Sequence, residues 1–178
     1  VNLGRLFALV GVLFGAVFVL VNAGGLPAPW DVAVRVAGVA LTAAAAWFGI
    51  IRGSNNPQSW SGSPWVYWVA VGAEVVAIPA GAAVLTQVLD RPQLVVLWVV
   101  FVVGAHFLPA RVFGIGRYAE LGALLMLVAV VAAVVHAGAG VQWAPSAGAV
   151  LAGVALLVFA AIPALSRSTA TERGLAPS

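Results

Sequence analysis

The sequence predicts an all-α integral membrane protein, a six-transmembrane-helix bundle with short loops. Three observations carry that expectation. The 178 residues are 63% hydrophobic and 7% charged with a mean hydropathy of +1.12, whereas a soluble domain usually holds about a quarter charged residues. The chain offers six apolar runs of the length a bilayer helix needs, about 20 residues. The segments between them are short and rich in Gly, Pro, Ser and Asn.

The spans are expected near residues 3–21, 32–51, 65–87, 93–112, 118–137 and 145–165, forming one transmembrane domain over 1–166. The first run, LFALVGVLFGAVFVLV, admits two readings. As a cleavable signal peptide it would be cut at Ala23; an h-region of about 7–15 residues is normal, and this run is longer. As a retained helix it carries Gly11 and Gly15, a G-x-x-x-G pair suited to close packing, and this reading is favoured. NAGGLPAPWD separates it from the second span. RGSNNPQSWSGSP follows the second, LDRP the third, FGIGR the fourth and GAGVQWAPS the fifth. Pro64, Pro92 and Pro145 fall where a helix begins and a missing N–H costs no bond. The recurrence of Ala-Ile-Pro-Ala at 77–80 and 161–164 suggests an inverted repeat, but in so alanine-rich a chain it reads as chance. Residues 167–178 form a polar tail with no domain of their own.

Six spans place both termini on one side. Arg5, Arg52, Arg111, Arg117, Arg167 and Arg173 fall on that side and Arg35 and Arg91 on the other, so the positive-inside bias makes both termini and the tail cytoplasmic. Arg35 lies four residues after Asp31, a spacing that pairs them on one helical face. Trp30 and Trp143, and Trp60, Trp65 and Tyr118 opposite, fit interfacial aromatic belts. All the basic residues are arginine, which together with the Ala, Val and Gly content indicates a GC-rich bacterial genome and hence a bacterial inner membrane. The arginines form no patch, so a nucleic-acid partner is not expected. Cysteine is absent, which removes disulfides, thiolate metal sites and cysteine nucleophiles. Nucleotide, zinc-protease and diphosphate-metal motifs are absent as well; no metal and no cofactor is expected, and proton chemistry is left.

Glu74 lies about ten residues into the third span, roughly at the bilayer midplane at about 1.5 Å per residue. A carboxyl there must face the bundle interior and be protonated, paired or hydrated. Tyr67, Val71 and Ile78 share its face, which puts Tyr67 in reach as a hydrogen-bond partner. Pro79 removes the bond to the Val75 carbonyl and exposes polar backbone near the carboxyl. The bland alternative is a neutral Glu74 acting as structural glue. His106 sits about four residues before the end of the fourth span, and Glu120 enters on the first turn of the fifth at a similar depth. The turn between them, with Gly114 and Gly116, predicts a tight hairpin presenting His106, Arg111 and Glu120 to one another. Pro109 frees the Ala105 carbonyl beside the imidazole. Arg111 and Glu120 are also where topology and the helix dipole would place them anyway, and a lone membrane histidine is often a packing residue. His136, near the opposite end of the fifth span, is too far from His106 to share a metal.

The segment GAHFLPARVF, Gly104 to Phe113, resembles a G-x-H-F-x-P pattern of uncharacterised small multi-pass bacterial membrane proteins. The resemblance implies that Gly104, His106, Phe107 and Pro109 belong to one functional unit, and implies no activity.

Three functional readings are open. A small carrier, functioning as a homo-oligomer in the bilayer, would use Glu74 as its protonatable site and His106 with Glu120 as a relay for a small solute. An embedded enzyme would use Glu74 or His106 as general acid on a lipophilic, isoprenoid-like substrate in a cavity lined by Tyr67, Trp68 and Trp98. A non-catalytic subunit would leave activity to a partner. Aromatics converging on Glu74 in a closed pocket favour the enzyme; a polar path favours the carrier.

The topology carries its own test. A reporter fused at Ser178 is expected to behave as cytoplasmic and one inserted near Gly140 as external; the reverse at either site overturns the orientation.

Overall fold

A computed structural model describes residues 3–52, 64–111 and 116–172, with side chains over 8–52, 65, 68–110 and 117–161. Among the described residues all regular structure is helical, and six helices are long and apolar enough to cross a membrane. They are α1 (Leu3–Asn22), α2 (Trp30–Ala46), α3 (Pro64–Ala83), α4 (Val95–Phe107), α5 (Gly116–Ala139) and α6 (Ala144–Glu172). The protein is a multi-pass membrane protein built as an all-α six-helix bundle. Two spans end in a wide π turn, Trp47–Ile51 after α2 and Val84–Val88 after α3. Helix α4 is entered by a 3₁₀ turn at Pro92–Leu94 and left by another at Leu108–Arg111.

The predicted helix starts agree with the structure to within two residues or so. The sixth end does not, because α6 runs on to Glu172 rather than stopping near 165. Ser166 to Glu172 contains no glycine or proline to end the helix, and a polar sequence emerging from the apolar layer can keep its backbone bonds satisfied in helical form.

Packing is uneven. Helix α6 is central, touching α1, α2, α4 and α5 and burying Ala149, Ala152, Leu156 and Leu157. The side chains most completely enclosed, Val19, Val100, Leu125 and Leu157, come from α1, α4, α5 and α6. Helix α3 lies at the edge. Its main neighbours are α4 and the 3₁₀ turn that follows α4, and among the described residues it contributes no buried side chain. This asymmetry gives no support to the repeat suggested by the recurring Ala-Ile-Pro-Ala, which would make α3 and α6 counterparts.

Lipid tails are as apolar as leucine, so burial alone does not drive these helices together; close backbone approach and dispersion do. Two crossings show it. Gly15 of α1 meets Gly153 of α6, where a Cβ on Gly153 would stand 2.7 Å from the Gly15 carbonyl oxygen. Gly104 of α4 meets Gly122 of α5, where a Cβ on Gly104 would stand 2.7 Å from the Gly122 carbonyl oxygen. Gly11, the other half of the expected G-x-x-x-G, also packs on α6, against Ala160.

One expected surface feature is corrected. Asp31 and Arg35 do not pair: Oδ1 of Asp31 is buried without a hydrogen-bond partner, and the Arg35 guanidinium lies against Gly24, in the space a side chain there would fill. The spacing is right, but the glycine turn before α2 captures the arginine first. Tyr118 stands on the first turn of α5. It is half-buried between Phe107, at 6.1 Å between ring centroids, and Phe159, at 5.5 Å. Trp30, Trp65 and Trp143 are exposed near helix starts, as a belt requires; Trp60 lies outside the described residues.

The backbone crossings predict a sharp contrast between glycines. Gly122→Ala is expected to destabilise the folded protein in lipid or mild detergent by about 1–3 kcal/mol, the usual cost of overpacking, since a carbonyl cannot step aside. Gly138→Ala, whose Cβ would meet nothing within 4 Å, should be neutral or gain up to about 1 kcal/mol from helix propensity. Denaturation midpoints of the two variants check this directly.

Candidate functional site

The site begins with two faces of α4. Gly104 is turned to α5 by its backbone contact with Gly122. Two residues later the helix has rotated by about 200°, so His106 points to the opposite side, where α3 runs. Phe107, one step further round, returns to the α5 side and stacks near Tyr118. The Gly104-x-His106-Phe107 spacing is thus a geometric unit: a bare contact to α5, an imidazole to α3, and an aromatic closing the α5 seam.

Helix α3 presents a matching stripe. Val71, Glu74, Ala77, Ile78 and Gly81 are among its less exposed positions, with Leu85 in the π turn beyond, at the i, i+3, i+4, i+7 spacing of a packed face. Val71 and Ile78 thus share the Glu74 face as expected. Tyr67 belongs to the same predicted face, but its side chain lies outside the described residues.

On this seam Nδ1 of His106 lies 3.0 Å from Oε2 of Glu74, an ion-pair distance, with the side chains 19% and 21% exposed respectively. Glu74 stands ten residues from the start of α3, about 15 Å at 1.5 Å per residue, and His106 five residues before Arg111, about 8 Å. Side chains lean toward the N-terminus of their own helix. In antiparallel neighbours the carboxylate therefore leans toward the membrane face that carries both termini, and the imidazole leans inward to meet it. The pair lies within the apolar stretches of the two spans.

This replaces the expected partnership of His106 with Glu120. Glu120 is exposed on α5, and the rotation imposed by Gly104 turns His106 away from α5. Depth was matched, but azimuth was not. The expected free carbonyl also disappears: the Leu108 N–H donates to the Ala105 oxygen, because the chain tightens into a 3₁₀ turn just where Pro109 removes the α-helical donor. The Arg111 side chain lies outside the described residues.

One turn further along the seam, the Trp98 indole N–H donates to the Ala77 carbonyl at 2.9 Å. Gly81 makes this approach possible, since a Cβ there would overlap the indole. Sequence reasoning picked out Trp98 as a cavity wall and missed this role; the signal was a glycine one turn after an alanine on the polar face of α3. Trp98 does line an apolar groove of about 220 Å³, with Leu85, Leu97, Phe101 and Ala133 among its walls. Glu74 and His106 are not among its lining residues. Trp68 is 63% exposed on the outer side of α3 and does not line it. Pro79 is exposed within α3. Pro109 sits half-buried in the 3₁₀ turn.

His136 is buried and 3.1 Å from the Val141 carbonyl oxygen through Nδ1, tying the end of α5 to the turn before α6. It is a structural group. Among the described residues no cluster of three or more His, Asp or Glu side chains could hold a metal ion.

No family model, curated protein or solved structure matches this chain. What the site does must therefore be read from its own geometry.

An acid and a base in contact must be energetically coupled. In a double-mutant cycle, Glu74→Ala and His106→Ala are expected to be non-additive in unfolding free energy by about 0.5–3 kcal/mol, whereas Glu120→Ala with His106→Ala should add. Coupling to Glu120 and not Glu74 would reverse the assignment.

Proposed function

We propose that this protein is a proton-linked carrier of a small solute in a bacterial inner membrane, with both termini cytoplasmic, and that Glu74 and His106 together form its protonatable site. The single observation that carries the reading is the 3.0 Å contact between an acid and an imidazole inside the apolar layer, on a seam with an edge helix. Ionisable groups at membrane depth are costly and mark ion or substrate pathways by default. A carboxylate beside a neutral imidazole can take up one proton from one side, hold it between Oε2 and Nδ1, and release it to the other, returning to its starting state. Assembly into a homo-oligomer is part of the same proposal.

The enzyme reading draws less support. It calls for aromatics converging on Glu74, and of the candidates Trp98 donates to backbone and lines a groove without the carboxyl, while Trp68 faces outward. The G-x-H-F-x-P resemblance fits either reading, since Gly104, His106 and Phe107 act together geometrically and Pro109 ends the helix behind them.

Infrared difference spectra of the protein in lipid, recorded across neutral pH, test the proton site. A carboxyl C=O band that is lost in Glu74→Gln and shifted in His106→Ala is expected. A wild-type protein with no such band keeps Glu74 ionised throughout, and the proton-carrier reading then fails.

A further inference from the structure

The molecule divides mechanically into a locked part and a loose one. Helices α1, α4, α5 and α6 interlock where carbonyls and glycines touch, at Gly15 with Gly153 and Gly104 with Gly122, and α2 joins them by burying Gly38 and Ala45. Packed interiors of this kind do not deform continuously. Helix α3 shares none of it. Its described side chains include none that is buried, and Val69, Val75, Val76 and Val84 on its outer side are about half to two-thirds exposed.

Polar contacts fasten α3 to α4 at two described places along the seam. The Trp98 indole bonds the Ala77 carbonyl over the bare surface of Gly81, and Glu74 meets His106 further toward the terminal side. Between and beyond them the seam is made of small or half-buried residues. The helix also contains its own points of compliance. Pro79 interrupts the backbone bonding in its interior, the π turn Val84–Val88 widens its far end, and Asp90 turns the chain at φ 50° before α4 begins.

We propose that α3 is a hinged helix, pivoting at the Trp98–Ala77 bond and latched by the Glu74–His106 pair, and that it swings away from α4 when the latch is lost while the other five helices remain one body. The pivot is a neutral bond to backbone, which changes of charge leave intact. The latch is a contact between an acid and an imidazole, so removing either side chain releases it. Of the other charged groups on elements packed against this seam, Glu120 is exposed on α5, and the Arg111 side chain is outside the described residues. The swing opens the seam on the side that carries both termini, because the latch lies on that side of the pivot. The inference does not rest on proton carriage: a permanently ionised pair is still a latch, and a titrating pair on an immobile helix would still give the infrared band.

The absence of native cysteine allows spin labels to be placed by substitution. Val69→Cys on α3, eight residues from the pivot on the side that swings, with Val130→Cys on α5 reports the hinge, and Leu13→Cys on α1 with Val130→Cys reports the fixed body; all three positions are exposed. In lipid nanodiscs, electron–electron distance distributions are expected to be narrow for both pairs in the otherwise native chain. Adding Glu74→Ala should lengthen or broaden the Val69–Val130 distance by roughly 5 Å, the scale of helix displacements in switching transitions, and leave Leu13–Val130 unchanged. Trp98→Phe, which removes the pivot bond but keeps an aromatic, should broaden the same α3 pair with the latch intact, and so provides a reading should Glu74→Ala fail to fold. An α3 distance unmoved by both changes overturns the proposal, as does a Leu13–Val130 distance that moves along with it.

Discussion

The contact between the Gly104 and Gly122 backbones governs how the rest of this protein is arranged around its ionisable pair. In a bilayer, helices gain little by hiding apolar surface from one another, so the strongest associations form where no side chain intervenes. A glycine facing a glycine brings α4 onto α5 and, by doing so, fixes the rotation of α4 about its axis. Once that rotation is set, His106 has one direction to point, and Phe107 has the other. The equivalent contact of Gly15 with Gly153 holds α1 on α6 and completes a body around the buried Leu125 and Leu157.

Against that body α3 is held differently. In place of backbone interlocking its described seam carries an indole hydrogen bond and an acid–base contact. Polar contacts inside membranes are modest individually, about 1 kcal/mol in measured cases, and a contact between an acid and an imidazole depends on the protons it carries in a way that a glycine crossing does not. A chain that needs one helix fixed and another responsive can use these two kinds of contact side by side. The carboxylate and imidazole are also the groups by which a proton or a cation could sense which arrangement is present, so chemistry and mechanics meet at the same two residues. The apolar groove beside Trp98 lies across the pivot from them and is separate from that chemistry.

Much of this architecture was legible in the amino-acid order. Composition and the spacing of the apolar runs determined the class, the number of helices and nearly all of their starts, because spanning a bilayer imposes a length and a polarity that few other constraints imitate. Glu74 and His106 stood out for the same reason: an ionisable group within an apolar run demands a partner, whatever the fold. The close-packing role of Gly11 and Gly15 was legible as well, since only small residues permit it. The reach of α6 to Glu172 was not, because polar residues beyond the apolar layer look alike whether helical or loose.

Azimuth and neighbourhood were settled by packing alone. His106 and Glu120 stand at matching depth, yet depth along a helix is a local quantity, read at about 1.5 Å per residue, whereas the direction a side chain points depends on which face the helix gives to its neighbours. That face was chosen by Gly122, far along the chain from Gly104, and the choice carried His106 to Glu74. In the same way Arg35, spaced correctly for Asp31, was drawn to the Gly24 turn, and Trp98, which lines a groove as expected, was also made a hydrogen-bond donor by the bare surface of Gly81. Hydropathy and spacing determine how far each group lies into the membrane; the packing of one helix on another, set by backbone contacts between distant residues, determines whom it meets.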